Sequence, residues 1–153
     1  MKKNLLLLML AGLALLATSC HKYVVEPNVP SLTGTWYLQN AARYDAYKWQ
    51  TLHTGYESGS FTFYSNGDAV YTDSLGSLSG VWDMYPVTDG YYDWNGHYRE
   101  GYHVIFSLRL YEGNNSNPAV NWLFDDNDFN GAGRFKATYT TNNFTYEYTF
   151  ARE

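Results

Sequence analysis

Apolar and polar side chains alternate with a period of two along much of the chain after residue 30, the spacing of strands that bury one face. The clearest case is the last segment, where Phe144, Tyr146, Tyr148 and Phe150 fall on one face and Thr145, Glu147 and Thr149 on the other. Val104, Phe106, Leu108 and Leu110 alternate in the same way with His103, Ser107, Arg109 and Tyr111. Phe135, Ala137 and Tyr139 alternate with Arg134, Lys136, Thr138 and Thr140. Shorter stretches predict strands over Thr35–Gln39, Tyr44–Leu52, Ser60–Tyr64, Ala69–Asp73, Gly80–Tyr85 and Val120–Phe124.

Turn chemistry separates these segments. Ser65-Asn66-Gly67-Asp68 carries Asn-Gly, the strongest short hairpin signal, between Phe63 and Val70. Thr141-Asn142-Asn143 joins the last two strands, and Gly113–Pro118 ends the Val104–Leu110 strand. Apolar spacing of three and four with capping residues is missing from every ten-residue stretch, so helices are incidental at most. The expectation is an all-β domain over residues 31–153, an antiparallel up-and-down β-barrel of about 8–10 strands, with a β-sandwich as the alternative.

The first 30 residues follow a different pattern. Lys2 and Lys3 precede Leu5–Leu16, apolar except for Gly12, and small residues Ala17-Thr18-Ser19 lead to Cys20, the only cysteine. The run is shorter than the ~20 apolar residues that cross a bilayer, so residues 1–19 read as a cleavable leader. A lone cysteine excludes an internal disulfide framework. His21–Pro30 contains Pro27 and Pro30 and no alternation, so residues 20–30 read as a flexible tether, or as one that includes a short edge strand at Val24-Val25.

This arrangement resembles a Bacteroidetes-type bacterial lipoprotein signal, in which a small residue precedes the cysteine that is acylated. The resemblance implies that residues 1–19 are removed and that Cys20 carries the acyl chains, palmitate among them. Membrane partnership then comes through those chains, since three acyl chains exceed the two signals that stable anchoring needs. It also implies an outer-membrane lipoprotein of the cell envelope, with periplasmic or surface orientation left open. An ordinary secretory leader ending at Ser19 is the alternative.

Removing the leader sharpens the composition. The full chain carries 10 Lys and Arg against 15 Asp and Glu. The leader holds two lysines and no acid, so 8 basic groups face 15 acidic ones in the remainder, a net −7. That balance argues against nucleic acid as a partner, because phosphate neutralisation needs Lys and Arg. All 16 Tyr, 8 Phe and 5 Trp lie beyond the leader, enough apolar surface to build a core.

A second resemblance rests on Leu32-Thr33-Gly34-Thr35-Trp36-Tyr37 and Phe150-Ala151-Arg152. Gly-x-Trp on a first strand and an Arg near the barrel end are similar to lipocalin-like domains. The resemblance implies that Arg152 lies over Trp36 as a structural pair closing one end of the barrel, a cation on an indole face. It implies a non-catalytic protein whose interior either holds a small apolar ligand or is filled by its own aromatics.

Other clusters bear on chemistry. The tract Tyr85–Tyr102 contains Tyr91, Tyr92, Trp94 and Tyr98 among Asp93, His97, Arg99 and Glu100, the flat rings and polar edges that a surface glycan- or protein-binding module uses. This is the alternative to an apolar ligand; the same rings also fit a half-buried strand. Asp93, His97, Glu100 and His103 match no compact metal motif. Asp126-Asn127-Asp128-Phe129-Asn130-Gly131 has the first half of a calcium loop, making Asp126, Asp128 and Asn130 the Ca²⁺ candidates. Ala137 stands where the bidentate Glu belongs, so an acidic turn is the competing and favoured reading. No Ser lies in a Gly-x-Ser-x-Gly elbow, and neither a catalytic constellation nor a cofactor is expected. Asp73-Ser74-Leu75 resembles a short Bacteroidetes O-glycosylation acceptor.

Overall fold

The computed structural model describes Val29 and residues 31–93, 95–131 and 133–152, with Tyr91 described by its backbone alone. The leader, Cys20, the tether apart from Val29, and Trp94 lie outside the described residues. Among the described residues there are twelve strands and no helix. In chain order they are β1 Gly34–Tyr44, β2 Trp49–Thr51, β3 Ser60–Phe63, β4 Asp68–Thr72, β5 Ser77–Val87, β6 Gly90–Tyr92, β7 Tyr98–Glu100, β8 His103–Tyr111, β9 Val120–Phe124, β10 Asp126–Phe129, β11 Arg134–Thr140 and β12 Thr145–Arg152.

Ten strands form one antiparallel sheet in the order β10-β11-β12-β1-β3-β4-β5-β8-β9, with β2 paired to β1; β6 and β7 form a separate hairpin. Neighbours in the sheet are mostly neighbours in the chain, so the connectivity is up-and-down. The expected closed barrel of eight to ten strands is corrected: the ladder stays open between β9 and β10. These two path ends are consecutive in the chain, separated only by Asp125. The strand pairs with β8 up to Phe124 and with β11 from Asp126 onward. A backbone that changes partner in mid-strand interrupts both ladders at the point of exchange. Across that seam a side chain takes over, the Asn127 Nδ2 donating to the Val104 carbonyl at 2.6 Å.

Local chemistry explains the strand limits. Between β3 and β4 the Tyr64 amide donates to the Asp68 carbonyl and the Gly67 amide to the Tyr64 carbonyl. The loop is therefore Ser65–Gly67, with Gly67 at φ +89°, a left-handed position that glycine occupies without a Cβ penalty. The segment expected as one strand over Tyr44–Leu52 is divided. Asp45 Oδ1 accepts the amides of Tyr47 and Lys48 at 3.2 and 3.1 Å, turning the chain between β1 and β2.

β1 runs the length of β12, but its register shifts between Leu38 and Asn40. Trp36 and Leu38 point into the core before the bulge and Ala41 after it. Asn40, Ala42 and Tyr44 are thereby turned to the outer face. The core itself is a packed set of rings. Phe150 stacks on Phe135 at 4.7 Å and meets Phe61 edge-on at 5.8 Å. Phe106 stacks on Phe124 at 5.7 Å and meets Phe63 edge-on at 5.8 Å. Phe61, Phe106, Phe124, Phe135 and Phe150 are each fully buried. Of the expected inward face of β12, Tyr148 and Phe150 reach this core and Tyr146 packs at its border. Phe144 lies outside it, under the Arg43 guanidinium at 4.6 Å.

Candidate functional site

At one end of the sheet, Trp36 and Arg152 are register partners on β1 and β12. The Arg152 guanidinium lies over the Trp36 ring, 5.0 Å from its centroid, and donates to the Thr33 carbonyl. The indole N–H donates to the Leu32 carbonyl at 2.6 Å. Gly34, at φ +125°, passes so close beneath that a Cβ would come within 3.2 Å of Arg152 Nη2. The pair is built into the end of the fold.

The Tyr85–Tyr102 tract is the elongated tip of the β5–β8 hairpin. Its outer part is the β6–β7 hairpin, in which Gly90 faces Glu100, Tyr91 faces Arg99 and Tyr92 faces Tyr98. Tyr92 and Tyr98 pack edge to face at 5.5 Å and remain 52% and 56% exposed. Tyr98 also covers Gly90, where a Cβ would fall 1.8 Å from its hydroxyl. Asp93 organises the turn between them. Its Oδ1 accepts the amides of His97 and Asn95 at 2.9 and 3.0 Å, and its Oδ2 accepts Arg99 Nε at 2.9 Å. The His97 amide and the other donors hold the Asp93 carboxyl below the usual carboxylate range against the cost of burial. His97 and Glu100 are exposed, while His103 is buried at the start of β8 with Nδ1 3.6 Å from Asp89 Oδ1.

The acidic segment is a strand where a turn was favoured. Asp126 pairs with Thr138 and Asp128 with Lys136. Strand residues rise ~3.3 Å each, so Asp126, Asp128 and Asn130 are spread along an extended chain, whereas calcium needs oxygens converging within ~2.6 Å of one point. The turn is thus corrected to a strand. Among the described residues, no group of three or more His, Cys, Asp or Glu is placed to hold a metal ion.

In the strand, Asp126 and Asp128 instead face outward and join a trough on the outer surface of β10, β11, β12 and β1. It encloses about 420 Å³ and is lined by Asn40, Ala42, Trp49, Asp126, Asp128, Lys136, Thr138 and Glu147. Cross-strand register supplies its rows: Asp126–Thr138–Glu147–Ala42 and, one step along, Asp128–Lys136. Thr138 is only 4% exposed although it points outward, so it forms the floor. Lys136 Nζ bridges to Glu147 at 3.1 Å. Trp49, 45% exposed, forms one wall and is backed by Tyr44 at 5.3 Å. Beyond Trp49 lies a second hollow of about 400 Å³, lined by Asn95, Thr140, Thr141, Asn142, Asn143 and Thr145 among others.

Asp125, at the seam, carries the group with the most unusual surroundings. Its Oδ1 is buried without a hydrogen-bond partner among the described residues. Desolvation pushes its pKa up, with Asp126 adding and His103 opposing. It lines none of the concavities described above. Tyr148, in the core, is likewise raised by desolvation.

Sequence reasoning singled out the tyrosine hairpin and the Trp36–Arg152 pair but missed the trough. Its signal was Trp49 next to Tyr44 across a turn marked by Asp45. Fold and surfaces together define an all-β protein with one large antiparallel sheet, a ring-filled interior and concavities on the outside. No protein-family model, curated protein or solved structure matches this chain in comparison.

Proposed function

We propose that this is a lipid-anchored, lipocalin-like protein of the cell envelope that binds a partner at its surface rather than performing catalysis. The observation that carries the reading is the tyrosine hairpin. Tyr92 and Tyr98 hold a fixed mutual geometry, are more than half exposed, and rest on a turn rigidified by Asp93. Preorganised rings with polar edges are what a glycan- or protein-binding surface needs. The packed rings of Phe61, Phe106, Phe135 and Phe150 disfavour the alternative of a small apolar ligand held inside.

The lipocalin-like relation is supported by the up-and-down strand order and by Arg152 over Trp36. Anchoring is supported by the leader and Cys20. It is tested by metabolic labelling with an alkyne fatty acid: Cys20→Ala must abolish incorporation and release the protein from the outer membrane. The hairpin is tested with Tyr92→Ala/Tyr98→Ala in two assays, thermal unfolding and binding to arrayed envelope glycans and envelope proteins. Lost binding at unchanged Tm is expected. Stability lost in proportion to binding, or binding left intact, refutes the role of the hairpin.

A further inference from the structure

We propose that the trough beside Trp49 is a second binding site, and that its ligand is a neutral oligosaccharide. This deepens the surface-binding reading but does not use the tyrosine hairpin. Three features of the trough select that chemistry.

The first is the platform. Trp49 is 45% exposed and lines the trough, and its orientation is set by Tyr44 behind it, with the ring planes inclined at 35°. A flat apolar face flanked by hydrogen-bonding groups suits a sugar ring, whose C–H face stacks while its hydroxyls reach sideways. The second is the lining. On one side of Trp49 stand Asn40, Thr138 and the carboxylates of Asp126 and Asp128. On the other, the hollow is rich in Asn and Thr. Carboxylates accept from adjacent hydroxyls, and amides and hydroxyls both donate and accept. An apolar ligand would displace water from Asn40, Asp128 and the Asn and Thr side chains of the second hollow without replacing its hydrogen bonds, at a cost. The third is charge. The trough holds Asp126, Asp128 and Glu147 against the single Lys136, which already bridges Glu147. An acidic saccharide or a phosphate would meet repulsion there.

The two hollows share Trp49, which stands between them. That arrangement fits a chain of sugars passing over one central platform better than a single monosaccharide. Each hollow lies within the ~300–1,000 Å³ range of ligand sites.

The test uses the purified full-length mature protein in a detergent without a sugar headgroup. Tryptophan fluorescence and calorimetry follow titration with cellohexaose, maltohexaose, laminarihexaose, xylohexaose and mannohexaose, with hexagalacturonate and CaCl₂ as comparators. At least one neutral hexasaccharide is expected to bind more tightly than about 10 mM. Saturation-transfer NMR should place its ring protons against an indole. Trp49→Ala should weaken that binding about tenfold, and Trp49→Tyr should restore part of it. Asp126→Asn/Asp128→Asn, which keeps the shape of the wall, should also weaken it, while Tyr92→Ala/Tyr98→Ala should leave it unchanged. Far-UV dichroism checks that each variant folds. Absence of binding by every neutral hexasaccharide overturns the proposal, as does unaltered affinity in folded Trp49→Ala. Preferential binding of hexagalacturonate or of Ca²⁺ also overturns it. Loss of binding in the tyrosine variant alone would assign the saccharide to the hairpin instead.

Discussion

Truncating Phe150 to alanine removes the ring at the centre of the core, and the size of the effect follows from its neighbours. Phe150 is fully buried, stacked on Phe135 at 4.7 Å and 8°, and met edge-on by Phe61 and Phe106. Loss of burial costs about 2 kcal/mol. The phenyl leaves a void of roughly 100 Å³, which at ~24 cal/mol per Å³ adds about 2.4 kcal/mol if the surrounding rings stay in place. They are held from several strands at once, so little collapse is expected, and the sum of about 4 kcal/mol lies within the ~3–5 kcal/mol typical of Phe→Ala. At ~3–5 °C per kcal/mol for a domain of this size, Tm should fall by about 12–20 °C. Urea unfolding followed by tryptophan fluorescence measures the free energy directly, with Phe150→Leu as a milder control losing about 1 kcal/mol. Benzene should raise the Tm of the alanine variant by filling the void and leave the parent protein unchanged. A loss below about 1.5 kcal/mol, or a benzene response in the parent, would refute the packed interior.

Three further outcomes follow from particular side chains. Burial raises the Asp125 pKa in the folded state, so the native protein holds that proton more tightly than the unfolded chain does. Its contribution to stability is therefore lost as pH rises from the ordinary value of 3.8 through the raised one. Asp125→Asn should flatten this decline and stabilise the protein at neutral pH, read as the difference between variant and parent urea midpoints from pH 4 to 8; an unchanged difference across that range would exclude it. Ala46 sits at φ +69° in the β1–β2 turn, so Ala46→Gly should gain about 1 kcal/mol and raise Tm by a few degrees in calorimetry. Arg152→Lys keeps the charge but loses the planar guanidinium over Trp36 and should cost about 1 kcal/mol in urea unfolding, with Arg152→Met, which has no cation to place over the ring, costing more.

The segments legible in the sequence are those where one face stays buried without interruption. β8, β11 and β12 alternate apolar and polar residues in sequence and their limits were read closely, although His103, Thr138, Thr145 and Thr149 of the polar positions are buried too. Alternation fails where the backbone slips by one residue. The bulge near Gln39 turns Asn40, Ala42 and Tyr44 outward, so β1 reads as two fragments instead of an eleven-residue strand. Asp125 causes a second slip: Phe124 faces inward, then Asn127 and Phe129 do, with Asp126 and Asp128 outside. Three closely spaced acidic residues then look like a turn or half of a calcium loop. The same two slips built the trough, since they turn Asn40 and Ala42, and Asp126 and Asp128, to the outer face. The tyrosine hairpin was visible as composition but not as strands, because its described side chains other than Asp93 are exposed on both faces.

The pairing of β1 with β12 has a consequence for the order of assembly. The Thr33 carbonyl and the Arg152 guanidinium that meets it are 119 positions apart in the chain, and the ladder behind them runs from Trp36↔Arg152 to Tyr44↔Thr145. During synthesis from the N-terminal end, the first long strand emerges with its principal partner still to come. Until β12 arrives, β1 offers an unpaired edge next to apolar rings, the condition that invites strand exchange between chains. Long loop closure must precede the reward of that pairing, so completion of the sheet should be slow and late relative to the local hairpins β3–β4 and β5–β8. The last eight residues to be paired thus act as the latch of the whole fold.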